Sequence, residues 1–148
     1  MIRGIHHTSR TVGDMDRSLA FYRDLLGMEV AVDTEMRGEM LEREVAMEGA
    51  HLRLVELRAG DAFLELLQYH SPSGEPFPDG SKPADVGAHH VALLVDDIQA
   101  AYRKLSEAGV RFTWPPQGVD AGMFAGHWTV YCYDPDGLIL ELWQLPAV

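Results

Sequence analysis

Four residues of this chain have the types and the placing to do chemistry: His7, Glu65, His90 and Glu141. Each glutamate sits in the middle of an apolar run, Ala62-Phe63-Leu64-Glu65-Leu66-Leu67-Gln68 and Leu138-Ile139-Leu140-Glu141-Leu142-Trp143-Gln144. A carboxylate buried in such a run must take up a proton or find a cation. Glu65 follows His7 by 58 residues and Glu141 follows His90 by 51. Taken singly, each would be read as a hydrogen-bonded core histidine or an ion-paired glutamate. Taken as two matched pairs, two imidazoles and two carboxylates suit a divalent transition metal such as nickel, cobalt, manganese, iron or zinc. An octahedral ion would keep two positions for water or substrate oxygens.

The elements that must position these groups come round twice. Ile2 to Val12 reads as a strand with Ile5, His7, Ser9 and Thr11 on one face. Asp14 is a helix N-cap; Met15, Leu19, Tyr22 and Leu26 recur at helical spacing, and Gly27 ends the helix. Met28 to Thr34 is a second strand, Met36 to Met47 a loop or irregular strand, and Ala50 to Leu57 a third strand before the Glu65 strand. After the Pro- and Gly-rich stretch from Ser71 to Val86 the order restarts. Ala88 to Val95 is a strand, Asp97 caps a helix that Gly109 stops, and Val110 to Trp114 is a strand. A loop from Pro115 to Gly126 then leads to the strand His127 to Tyr133. The turn Asp134-Pro135-Asp136-Gly137 precedes the Glu141 strand. In His7-Thr8-Ser9-Arg10-Thr11-Val12-Gly13-Asp14 and His90-Val91-Ala92-Leu93-Leu94-Val95-Asp96-Asp97, Val lies five residues after His and Asp seven. The expected organisation is a first module over 1–70, a solvated connector over 71–86 and a second module over 87–148.

Composition narrows the class of function. The chain has 148 residues, 47% hydrophobic and 24% charged, enough to bury a core. No apolar run reaches the roughly 20 residues of a membrane span, and no basic-then-apolar signal opens the chain. The lone Cys132 excludes an internal disulfide and suits a reducing cytoplasm. A net charge of −11 argues against nucleic acid and anionic membranes as partners. An anionic small substrate stays open, because Arg3, Arg10, Arg37, Arg43, Arg53, Arg58 and Arg111 can act locally.

With these stretches in view, the chain resembles the vicinal oxygen chelate superfamily of glyoxalase I, methylmalonyl-CoA epimerase, extradiol dioxygenases, and fosfomycin and bleomycin resistance proteins. The resemblance is carried by residues 12–27, by Gly87-Ala88-His89-His90-Val91-Ala92-Leu93-Leu94-Val95-Asp96-Asp97, and by Asp134-Pro135-Asp136-Gly137 through Glu141-Leu142. It implies an α+β fold of two tandem βαβββ modules forming a curved mixed sheet around a metal site. By position, the implied ligands are His7, Glu65, His90 and Glu141. His6 and His89, each adjacent to a ligand, are expected on the opposite face. The ligand set is similar to that of glyoxalase I and of the epimerases. It implies a metal-dependent isomerase, lyase or epimerase in which an enediolate or enolate of a small oxygenated substrate is stabilised and Glu141 or Glu65 serves as base. A ring-cleaving dioxygenase would need only His7, His90 and Glu141. A metal-free drug- or metabolite-binding protein is the third reading. Four residues after the first histidine, where glyoxalase I has an Arg that helps hold glutathione, this chain has Thr11, and Arg10 falls on the opposite face. Phe63, His127, Tyr131 and Trp143 are the expected substrate-binding groups, with Met123, Phe124 and Trp128 as further candidates for the pocket wall. The resemblance also implies a homodimer, with each site formed within one chain or across the two.

Overall fold

The computed structural model describes residues 1–78 and 80–147. Asp79, inside the expected connector, and Val148, at the end of the expected second module, lie outside them. The chain divides into two compact units, Met1–Pro76 and Phe77–Val148.

The first unit runs β1 (His7–Thr11), α1 (Met15–Leu19, continuing as a wider π-helical stretch over Ala20–Leu25), β2 (Val30–Arg37), α2 (Glu39–Val45), β3 (His51–Ala59) and β4 (Ala62–Ser71). Its sheet has the order β1-β4-β3-β2, with β1 parallel to β4 and the other pairs antiparallel. The second unit runs β5 (His90–Leu94), α3 (Ile98–Glu107), β6 (Gln117–Gly118), β7 (Trp128–Tyr133) and β8 (Ile139–Gln144). Its order, β5-β8-β7-β6, repeats the first with the same senses. The α+β class and the tandem modules are as the resemblance implies, with the strands of each unit forming a mixed four-stranded sheet of their own. Among the described residues no helix is long and apolar enough to cross a membrane.

In each unit the glutamate strand is central, and the helix that follows the first strand is pinned to it. Asp14 accepts a hydrogen bond from the Arg17 N–H, and Asp97 one from the Ala100 N–H. A glutamine three residues after each glutamate supplies a second cap. Gln68 Oε1 accepts from the Met15 N–H at 2.9 Å, and Gln144 Oε1 from the Ile98 N–H at 2.7 Å. Helix starts otherwise leave such donors without partners. Met15, Leu19 and Tyr22 are buried on the helix, as are Leu64 and Leu66 on β4. Each of these aliphatic side chains contributes about 1.5–3 kcal/mol by leaving water. Gly27 and Gly109 end their helices at φ of +81° and +83°, where a Cβ would be strained.

Three expectations need correction. The stretch from Met36 to Met47 is not a loop. It holds the end of β2 and then α2, because Glu39 and Arg43 pair at helical spacing, 2.8 Å apart, while Leu41 is buried. Leu41 belongs to a cluster with Ala50 and Leu52, against which Met36, Leu54, Leu67 and Tyr69 pack. Val110 to Trp114 is not a ladder strand. It meets β7 through a single bridge, Phe112 to Cys132, and through the flanking bonds Thr113 N–H to Tyr131 O and Tyr133 N–H to Arg111 O. Finally, β1 begins at His7 rather than Ile2.

Candidate metal centre

Strand register gives the two histidine–glutamate pairs the same geometry. In the first unit His7 stands opposite Phe63 and Ser9 opposite Glu65. In the second His90 stands opposite Ile139 and Ala92 opposite Glu141. Alternation along a strand therefore puts each imidazole on the face of its glutamate, one diagonal step away. His7 Nε2 lies 3.8 Å from Glu65 Oε1, and His90 Nε2 lies 3.1 Å from Glu141 Oε2. Glu65 and Glu141 are only 9% and 8% exposed, whereas both imidazoles open to solvent. Among the described residues, the only ion-pairing partner of either carboxylate is its own histidine. Each pair so combines a costly buried charge with a metal-competent nitrogen. The pairs lie in different units, one in each.

The two halves differ in what surrounds the carboxylate. Glu141 Oε1 accepts a 2.5 Å hydrogen bond from the Thr129 hydroxyl. With His90 on the other oxygen, the carboxylate of Glu141 is held at both ends. Tyr131 lies directly across the ladder from Glu141, and its ring centroid is 5.1 Å from that of His90. Burial, and then the Glu141 charge, push the Tyr131 phenol above its ordinary pKa. Thr113, Trp114, Gln117, Thr129, Tyr131 and Glu141 line an open cavity of about 220 Å³. In the first unit the places of Tyr131 and Thr129 are taken by Glu56, opposite Glu65, and Leu54. His6, His7 and Glu56 bring one ligand atom each to within 4.8 Å of one another.

His6 corrects an expectation. It precedes β1, so strand alternation does not govern it. Its Nδ1 lies 3.0 Å from His7 Nδ1, and its ring lies 5.5 Å from that of Phe63. Arg10, by contrast, is turned away from the His7 face as alternation requires. It is 2% exposed, with Nη1 donating to the Tyr22 hydroxyl at 3.4 Å.

The expected substrate groups fall in two places. Tyr131, Trp143 and His127 are all in the second unit, and Trp143 shares the face of Glu141. The Trp143 ring is 5.3 Å from His127 and 5.5 Å from Phe124. His127 Nδ1–H donates to the Phe124 carbonyl at 2.8 Å, which leaves Nε2 as the acceptor of the neutral ring. Phe63 is in the first unit, with the Arg58 guanidinium 5.4 Å from its ring centroid. Met123 is exposed. Sequence reasoning missed Thr129, Glu56 and the Arg58–Phe63 contact. Glu56 was within reach: counting back from Glu65 across the Gly60-Asp61 turn leads to it.

A family model for the "Glyoxalase/Bleomycin resistance protein/Dioxygenase superfamily" matches residues 4–142. The chain belongs to this superfamily. Among curated proteins, a 2-epi-5-epi-valiolone epimerase of Actinomyces is 34% identical over 97% of this chain and 80% of its own length. The lactoylglutathione lyase of Haemophilus influenzae is 30% identical over 93% of this chain and 89% of its own. The crystal structure of a glyoxalase family protein from Bacillus cereus superposes with a TM-score of 0.83 at 15% identity, covering 99% of this chain and 97% of that one. At that identity the likeness speaks for the fold alone.

Proposed function

We infer that this chain is a divalent-metal-dependent enzyme of the epimerase and lyase branch of its superfamily, acting on a small hydroxylated carbonyl compound. The observation that carries the reading is the His–Glu pair built twice at one register, each with a buried carboxylate that has no other cationic partner among the described residues. His7, Glu65, His90 and Glu141 would hold the ion, drawn from nickel, cobalt, manganese, iron or zinc, whose donor preferences they fit. When bound, such an ion supplies a Lewis acid that makes a proton beside a carbonyl removable. The rest is the work of the chain's own side chains. Glu141 takes the proton, its orientation fixed by Thr129 and His90. Glu65, with fewer bonds on its carboxyl group, serves in its acid form: it donates a proton of its own to the opposite face, which inverts the carbon, while Glu141 keeps the proton it removed until solvent takes it. Tyr131 stays protonated well into alkaline pH and offers a hydroxyl donor beside Glu141. Trp143 and His127 form a wall on the Glu141 face that excludes water from one side of a substrate.

The 34% identical epimerase supports inversion rather than ring cleavage. A homodimer is the assembly expected, and sedimentation of the purified protein tests it. The deciding experiment pairs metal analysis with exchange of substrate α-protons in deuterated water, followed by NMR over a panel of α-hydroxy ketones and acyl thioesters. A metal-containing protein that exchanges one such proton supports the reading. A protein isolated without metal and indifferent to its addition overturns it, as does oxygen uptake with catechols without α-proton exchange.

A further inference from the structure

Three other metal-competent side chains meet in the first unit, away from the residues above. Glu35 lies on β2, His51 opens β3 and His70 lies near the end of β4. Glu35 Oε2 is 2.8 Å from His51 Nε2 and 3.4 Å from His70 Nε2. The two rings stand 4.8 Å apart, and the three ligand atoms all fall within 4.8 Å of one another. Zinc holds such atoms at about 2.0–2.2 Å, so ligand atoms of a tetrahedral site stand about 3.4 Å apart. The spacing here brackets that value.

Register shows that this cluster is not part of the His7 and Glu65 arrangement. Glu35 stands opposite Arg53, and Arg53 opposite Gln68, whose side chain caps α1. Glu35, Arg53, Gln68 and, by alternation, His51 and His70 thus share the face that carries α1, while Glu65 looks to the other, where Leu41 of α2 packs. A bulge assists. Leu52 faces Tyr69 but His51 faces Ser71, so His70 is the extra residue and lies at the kink beside His51. Arg53 does not neutralise Glu35. Its guanidinium is spent on Asp33 and Asp16, at 2.8 to 3.0 Å. Arg37 stands opposite His51, so the field alone does not favour a hard cation there. The two imidazole nitrogens select a borderline transition ion over calcium or magnesium.

We propose that Glu35, His51 and His70 form a second divalent-metal site, of two histidines and a carboxylate, that staples β2, β3 and β4 together. The fourth position is open to water, since all three side chains are part-exposed. One ligand comes from each strand, so the ion binds only when the three strands are paired and stabilises that pairing.

The test uses the full chain carrying His7→Ala and His90→Ala, with zinc as the probe and circular dichroism as the check of fold. Equilibrium dialysis should find one zinc per chain, and zinc should raise the melting temperature. Adding His51→Gln or His70→Gln should weaken zinc more than about tenfold and abolish the thermal shift. In the otherwise unaltered chain, Glu35→Gln should lower total zinc by one equivalent, which covers the case in which the double variant fails to fold. Absence of zinc from the folded double variant overturns the proposal, as does binding indifferent to His51→Gln or Glu35→Gln. Because the background lacks both histidines of the other centre, failure there leaves the functional reading untouched, and the converse holds.

Discussion

Thr129→Val is the sharpest perturbation of the Glu141 centre. The substitution keeps the volume and the β-branch, so neither the packing nor the strand preference of β7 changes. It deletes one hydroxyl, the donor to Glu141 Oε1. A hydrogen bond to a charged acceptor is worth about 1.5–3 kcal/mol, and this one is only part-buried, which places it near the lower figure. For a chain of this length each kcal/mol moves the melting temperature about 2–4 °C, so the metal-free variant should melt about 3–6 °C lower. Groups that orient a metal ligand typically account for ten- to hundredfold in affinity, and zinc or nickel binding at this centre should weaken by that factor. Calorimetric titration and thermal melts of wild type, Thr129→Val and Thr129→Ser read both effects. The serine variant keeps the hydroxyl and should recover most of the metal affinity. Unchanged affinity and melting in Thr129→Val, or a serine variant no better than the valine one, would refute the idea that Thr129 holds Glu141.

Glu141→Gln should keep metal to within about tenfold yet lose a hundredfold or more in turnover, the scale of general base catalysis, with α-proton exchange lost in parallel; Glu65→Gln should be milder. Spectroscopic titration should find the Tyr131 phenol ionising above its ordinary value and moving back down in Glu141→Gln, where the second of its two causes is removed. A phenol raised on folding contributes stability that is complete below about pH 10 and is lost as pH rises beyond, so alkaline melts should show the loss and Tyr131→Phe should blunt it. At the acid end, Arg53 holds Asp33 below the ordinary carboxylate range. That contribution is present above about pH 4 and lost as pH falls, so Asp33→Asn should flatten the acid limb of the stability curve.

Much of the fold was legible because repetition shows in residues before it shows in structure. The Asp N-caps stand seven residues after each histidine and the Gly stops 20 and 19 residues after it, and both helices form where those steps place them. That each histidine strand pairs in parallel with its glutamate strand is seen only in the sheets themselves. What was not legible depended on neighbours distant in sequence. Residues 39–45 are charged in a way that suits loop or helix equally, and burial of Leu41 against Ala50 and Leu52 decides for helix. Val110 to Trp114 has strand-forming residues but meets β7 at one bridge only. Thr129 is diagonal to Glu141 on the neighbouring strand, a relation set by the register of β7 on β8 rather than by any motif. His6 escaped because alternation was extended one residue beyond the start of β1.

The proposed function requires the two His–Glu pairs to act together on one ion. It is tested most directly by metal titration of a chain carrying His51→Gln and His70→Gln, compared with the same chain carrying His7→Ala or His90→Ala in addition. One tightly held ion is expected in the first protein and its loss, by a hundredfold or more, in each of the other two. Two ions bound independently, with each single histidine variant keeping one at full affinity, would contradict it.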